Sequence, residues 1–208
     1  MKIISPGVEF MTPIDGMAIL KHIERCGRIC YKSEDRITED SAKRFCEMIL
    51  KRGHETVIEH CSFTVKFICN RGVSHEIVRH RLVSYSQEST RYCNYSQDKF
   101  DSEITVIKPV FLKEGTKGYE KWKASCERAE EAYFDLLNYG CLPEEARDVL
   151  PNALKTEIAM TTNIREWRHF LKLRTSPRAH PQMREVAGQL LAACQAKIPI
   201  LFDDIPLC

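Results

Sequence analysis

CSFTVKFICN, residues 61–70, decides the class of the fold. Phe63, Val65, Phe67 and Cys69 alternate with Ser62, Thr64, Lys66 and Ile68, and a two-residue period of this kind marks a strand with one buried face. The rhythm is helical upstream, over residues 14–31 and 39–51, the second stretch announced by Thr38 as a cap and ended by Gly53. Ahead of these helices, residues 2–5 read as a short strand. Downstream, Gly72 opens a short helix carrying Ser74 to His80, and a strand is expected over residues 104–111, broken by Pro109. A long helix over 117–138 is closed by Gly140, and Pro143 suits the first position of another helix. LKTEIAMTTN (154–163) reads as a strand, and IREWRHFLKLR (164–174) and MREVAGQLLAACQAK (183–197) read as helices. No repeat, low-complexity tract or composition break marks a linker, so one mixed helix-and-sheet domain over residues 1–208 is expected.

Thirty-one Lys and Arg against 29 Asp and Glu leave a formal net charge of +2, so no global field invites a polyanion and any anion site must be local. No run approaches the length of a membrane span, and MKIISPGVEF lacks the charged-then-apolar pattern of a signal peptide. A cytoplasmic protein with no membrane partner is expected. Ten cysteines without a C-x-x-C pair then read as reduced thiols, each a small hydrophobe rather than a zinc ligand or redox partner. The nine glycines form neither G-x-G-x-x-G nor a P-loop, and G-x-S-x-G and H-E-x-x-H are also missing.

The chemistry concentrates in RHRLVSYSQESTRY, residues 79–92. Arg79, Arg81 and Arg91 are joined further on by Arg147, Arg165, Arg168 and Arg174, most of them beside apolar or hydroxyl neighbours rather than acidic ones. Arginine presents a planar fork of donors that matches phosphate and carboxylate, so arginines without local partners over a neutral background point to bound small anions. Ile164, Trp167, Leu171 and Arg174 form one helical stripe that ends in a charge, which places a guanidinium at the inner end of a buried face. Arg165 and His169 share another face. His75 and His80 lie about 140° apart on a helix, which does not make a metal site, and Glu76 stands one turn before His80.

Arg79-His80-Arg81, seven residues and then Ser89 resemble the signature of the flavin-dependent thymidylate synthases. GHETVIEH (53–60), ARDVLP (146–151) and TNIREWRHFLKLR (162–174) look like the family's other landmarks, in the family's order. The resemblance implies an α+β fold, a mixed and antiparallel sheet flanked by helices, assembled as a homotetramer with sites at subunit boundaries. It implies FAD as cofactor, NADPH and the folate methylenetetrahydrofolate as co-substrates, and reductive methylation of dUMP to dTMP. On the flavin it places Thr56, Arg79, His80, Arg81, Gln87, Asn163, Arg165 and His169. On dUMP it places Glu76, Arg79, Gln87, Glu88, Ser89, Thr90, Arg91, Arg147 and Arg174. Arg174 would favour ionisation at the pyrimidine N3, and His54 would lie where flavin, folate and nicotinamide meet. Arg174, His54 and Ser89 make up the expected catalytic set, with Ser89 read as a phosphate-binding hydroxyl in preference to a nucleophile. Two positions depart from the family pattern: Gln87 stands where an acid is frequent, with Glu88 one place later, and His169 stands where an asparagine is frequent.

Two other readings stay open at this level. One keeps flavin and folate but hydroxymethylates a pyrimidine nucleotide. The other is a nucleic-acid-binding module with Arg79, Arg81, Arg91, Tyr85, Tyr92 and Tyr95 as a stacking surface, against which the near-neutral charge argues.

Overall fold

A computed structural model describes residues 1–207. In chain order its first elements are β1 (Lys2–Ile4), β2 (Gly7–Phe10), α1 (Gly16–Ile29), α2 (Ser41–Lys51), β3 (Ser62–Asn70), α3 (Arg71–Ile77) and β4 (Ser84–Gln87). There follow β5 (Thr105–Ile107), α4 (Lys117–Asn138), α5 (Pro143–Ala146), β6 (Lys155–Asn163), α6 (Ile164–Arg174), α7 (Pro181–Lys197) and α8 (Pro199–Phe202). A four-stranded sheet has the order β2-β3-β6-β4, and β1 pairs with β5 in a separate parallel ribbon. Around β3 and β6 the Ile164 N–H bonds to the Cys61 carbonyl and the Arg71 N–H to the Leu154 carbonyl. Partner numbers fall as residue numbers rise, so these two strands are antiparallel. The fold is therefore α+β with a mixed set of strands.

The alternation in residues 61–70 holds: Phe63, Val65, Phe67 and Cys69 are buried while Ser62, Thr64, Lys66 and Ile68 are not. On β6 the same period buries Thr156, Ile158, Met160 and Thr162.

The chain divides into two compact units. The first comprises Met1–Gly7, Phe67–Arg81 and Tyr85–Ala159. Its core gathers Tyr95, Ile104, Val106, Cys126, Tyr133, Ala146 and Leu154, with Tyr95 meeting Tyr133 and Phe100 edge-on at 5.7 and 5.0 Å. The second comprises Val8–Lys66, Leu82–Ser84 and Met160–Cys208. There Trp167 stacks on Phe63 at 5.0 Å and donates its indole N–H to the Phe63 carbonyl at 3.2 Å, which satisfies the polar end of a fully buried ring. Helix α7 buries Met183, Val186, Ala187, Leu190, Leu191 and Cys194, an i, i+3, i+4 stripe. Arg168, 4% exposed, reaches from α6 to both carboxylate oxygens of Asp204 at 2.6 Å each and to the Leu201 carbonyl, tying the C-terminal turn to that helix.

Several boundaries differ from the sequence expectations for local reasons. Asp40, not Thr38, is the N-cap of α2; the Ser41 hydroxyl accepts the Thr38 N–H at 2.9 Å, so Thr38 forms the turn before the cap. The strand expected over 104–111 shortens to three residues, the length of its partner β1, and Pro109 has no N–H to continue a ladder. Strands β2 and β4 have no sequence signal because neither contains a fully buried residue. The short helix starts at Arg71 and ends at Ile77, with the Asn70 side chain accepting the Val73 N–H at 2.7 Å, so His80 lies beyond it. No helix of the described residues is long and apolar enough to cross a membrane.

Candidate active site

In the first unit, α3 ends in tight turns that carry Arg79 and His80. The Tyr85 hydroxyl stitches this end, within bonding distance of the Ile77 and His80 carbonyls at 2.8 and 3.1 Å. Arg79 and Arg81 are exposed and His80 is buried, while Glu76 is half-buried on α3. From β4 the Gln87 amide reaches the Ser74 hydroxyl at 2.9 Å and the Thr156 hydroxyl at 3.2 Å. The chain then turns. The Ser89 carbonyl accepts the N–H groups of Tyr92 and Cys93, and the Ser89 hydroxyl accepts the Arg91 N–H at 3.3 Å. Arg147 reaches across 57 residues of sequence to the Thr90 hydroxyl at 3.4 Å. Four of the residues expected on dUMP, Ser89, Thr90, Arg91 and Arg147, thus come together around one turn. Arg91 meets Glu144 at 3.0 Å and lies over the Tyr92 ring, with its side chain half exposed. Hydroxyls, backbone N–H groups and guanidinium forks around one turn are the donor set of an oxyanion site.

Glu88, expected on the substrate, has its carboxylate turned onto Lys155 at 3.0 Å and the Tyr95 hydroxyl at 3.3 Å.

In the second unit, the turn after α2 delivers His54. Gly53 has a φ of +69°, its N–H bonds to the Leu50 carbonyl, and the His54 N–H bonds to the Ile49 carbonyl, the paired bonds of a Schellman motif. His54 and Thr56 share a cleft of about 630 Å³ with Arg28, Arg36, Arg52 and Tyr31. Arg28 is held in place by the buried Glu24 carboxylate at 2.8 Å and lies over the Phe45 ring. None of these four neighbours was singled out in the sequence; the i, i+4 spacing of Glu24 and Arg28 was the one signal available.

A second cleft, about 430 Å³, gathers Asn163, Arg165 and His169 with Lys172, Glu59 and Leu82. Asn163 caps α6 by accepting the Glu166 N–H at 2.9 Å. Arg165 lies between Glu59 at 2.6 Å and Glu55 at 3.4 Å. Leu82 is 88% exposed with a φ of +63°, an unusual backbone state for a residue with a Cβ, and its carbonyl accepts the Thr162 hydroxyl proton at 3.0 Å. Arg174 is half-buried in the last turn of α6, at the end of the fully buried stripe Ile164, Trp167 and Leu171.

Arg91, Arg165 and Arg168 have carboxylate partners after all, 53, 106 and 36 residues away, beyond the reach of a local reading. Five of the thiols are poorly suited to nucleophilic work: burial pushes Cys46, Cys69 and Cys194 up to about 12, and Cys61 and Cys126 to about 11.

A turn that gathers hydroxyls, backbone N–H groups and guanidinium forks, and two arginine-bearing clefts, without any glycine-rich loop, mark an α+β protein whose polar groups are set for small ligands. The model of the thymidylate synthase complementing protein (Thy1) family matches residues 14–200, and the chain belongs to that family. A flavin-dependent thymidylate synthase of Pyrococcus furiosus is 36% identical over 180 residues, covering 86% of this chain and 73% of that protein. That of Geobacter sulfurreducens is 32% identical over 202 residues, covering 90% and 85%. That of Pyrococcus abyssi is 38% identical over 161 residues, and there the match spans 77% of this chain and 65% of the relative. Among solved structures, a UMP/dUMP methylase from Streptomyces cacaoi bound with 5-Br dUMP has the same fold, with a TM-score of 0.78 at 24% identity over 98% of this chain and 96% of that one.

Proposed function

We infer that this chain is a flavin-dependent thymidylate synthase, a methyltransferase that converts dUMP to dTMP with methylenetetrahydrofolate as carbon donor and releases tetrahydrofolate. The observation that carries the reading is the turn on which Ser89, Thr90, Arg91 and Arg147 gather, at the end of the Arg79 to Ser89 stretch and within the residues that the family model matches. FAD reduced by NADPH supplies the hydride that completes the methyl group. The Arg165 cleft offers such a cofactor an exposed leucine held in a left-handed backbone, among amide, guanidinium, imidazole and ammonium groups and the carboxylates of Glu55, Glu59 and Glu166. An apolar contact rimmed by donors and acceptors suits a flat ring with polar edges.

The protein's own part is position and charge. Ser89, Thr90 and Arg91, with Arg147, hold the dUMP phosphate. Among the described residues no imidazole or carboxylate bonds to the Ser89 hydroxyl, which supports a phosphate-binding role over attack on the ring. Arg174, set against the pyrimidine, lowers the cost of removing the N3 proton and stabilises charge that develops on the ring. Arg79, His80 and Arg81 of the first unit meet the flavin, and so do Thr56, Asn163, Arg165 and His169 of the second. We also propose a cytoplasmic homotetramer with ligand sites at its subunit boundaries, in which the two flavin sets need not come from one copy. Nine free thiols among the described cysteines are in keeping with a reducing compartment.

The test is an omission series on purified protein. dTMP should form from dUMP only when FAD, a reductant and methylenetetrahydrofolate are all present. Undiminished dTMP after FAD is stripped, or none in the full mixture, would overturn the reading, and 5-hydroxymethyl-dUMP as product would favour the hydroxymethylation alternative.

A further inference from the structure

We propose that Glu88, Lys155 and Tyr95 form a positioning unit that sets the height and orientation of the phosphate-binding turn, and that Glu88 acts through this turn rather than by touching the nucleotide. The inference rests on the reading of residues 89–91 as the dUMP phosphate site.

Glu88 is the hinge between β4 and that turn. Its N–H bonds to the Glu157 carbonyl at 2.9 Å on β6, and its carbonyl lies 3.4 Å from the Arg71 guanidinium. With the backbone fixed on both sides, the side chain is committed to Lys155 and Tyr95. One carboxylate oxygen takes the Lys155 ammonium at 3.0 Å, and the other takes the Tyr95 hydroxyl at 3.3 Å. The carboxylate is 13% exposed and Lys155 is 20% exposed, so the pair is little screened by water. Lys155 also holds Glu157 at 2.8 Å and so keeps two neighbouring carboxylates from repelling each other. Burial opposes the Lys155 charge, but the hydrogen bonds it donates to Glu157 and Glu88, with their negative charge, outweigh it and push its pKa up. Burial, then Glu88, pushes the Tyr95 phenol up, so it stays a donor. Tyr95 is itself immobilised: it is 4% exposed, packs against Tyr133 and Phe100, and its N–H reaches the Tyr133 hydroxyl at 3.4 Å.

Tyr95 lies six residues beyond Ser89 and Lys155 lies on the neighbouring strand, so the carboxylate clamps both ends of the turn to the core. A carboxylate so engaged has little left to offer a nucleotide. It would also repel a phosphate if it faced one.

The test is a charge swap read by steady-state kinetics and by dUMP titration of the flavin-loaded protein. Glu88→Lys places two ammonium groups together and is expected to raise KM for dUMP at least tenfold, with kcat within about threefold of the unaltered protein and an unchanged flavin spectrum. Adding Lys155→Glu restores the pair in reverse and should return KM to within about threefold. If Glu88→Lys fails to fold, Tyr95→Phe, which removes one hydroxyl and keeps the ring packing, should raise KM about threefold, again with kcat unmoved. An unaltered KM in the folded variants overturns the proposal. So does a fall in kcat that the swap does not rescue, which would mark Glu88 as a direct contact. Failure of the unaltered protein to bind dUMP overturns the functional reading and this inference with it, and it shows before any substitution is made.

Discussion

Replacing Asp204 by Asn removes the charge that faces the Arg168 guanidinium. Arg168 is 4% exposed and the Asp204 side chain 52%, so the cation is buried while its partner is open to water on one side. Stranding a buried cation costs about 3–5 kcal/mol where nothing replaces the lost partner. Here the Leu201 carbonyl still accepts and water reaches the outer face of residue 204, so after discounting for solvent screening the expected loss is about 2 kcal/mol. In a chain of this size that lowers Tm by about 4–8 °C. The effect has a defined pH dependence. Hydrogen bonds from Arg168, against the opposing cost of burial, hold the Asp204 carboxyl below its ordinary value of 3.8. The folded pKa is thus lower than the unfolded one, so the stabilisation is complete above the unfolded value and is lost as pH falls through the folded one. Urea denaturation at fixed protein concentration, near pH 7 and again near pH 3, reads both. A difference under about 0.5 kcal/mol at neutral pH, or one that grows on acidification, would refute the reasoning.

Gly27→Ala should destabilise by about 1–3 kcal/mol in the same assay, because a Cβ there would lie 2.6 Å from the Phe45 ring and 2.9 Å from Val57. Arg174→Ala should lose dTMP formation by several orders of magnitude while keeping bound flavin, and Arg174→Lys should restore little, since a point charge does not reproduce the planar fork; retained turnover in either variant rejects its role at the pyrimidine. Arg91→Ala and Arg174→Ala, each nearly inactive alone, should regain roughly one intact site in four on random co-assembly if the two residues reach a site from different subunits. Co-assembled tetramers verified by mass and without recovery assign both arginines to one chain.

The residues that position the site were legible where a local rule governs them. The two-residue period from Cys61 to Asn70 gave the strand, and Gly53 and Gly140, with φ of +69° and +94°, ended helices as their type suggests. The signature resemblance named the turn at Ser89 to Arg91. What stayed hidden depends on pairs far apart in sequence: Glu144 on Arg91, Asp204 on Arg168, Lys155 on Glu88. Each is a charge whose partner is set by packing, and no local spacing announces it. Edge strand β4 was equally silent, because a four-residue strand with no buried side chain leaves no pattern to read.

The central claim is that flavin, not folate, delivers the hydride, and the fate of the folate tests it most directly. When dUMP is converted with limiting methylenetetrahydrofolate and NADPH in excess, each dTMP should be matched by one tetrahydrofolate and one NADPH consumed. Dihydrofolate formed in equal amount to dTMP, with no NADPH spent, would contradict the account, because the reducing electrons would then have come from the folate itself.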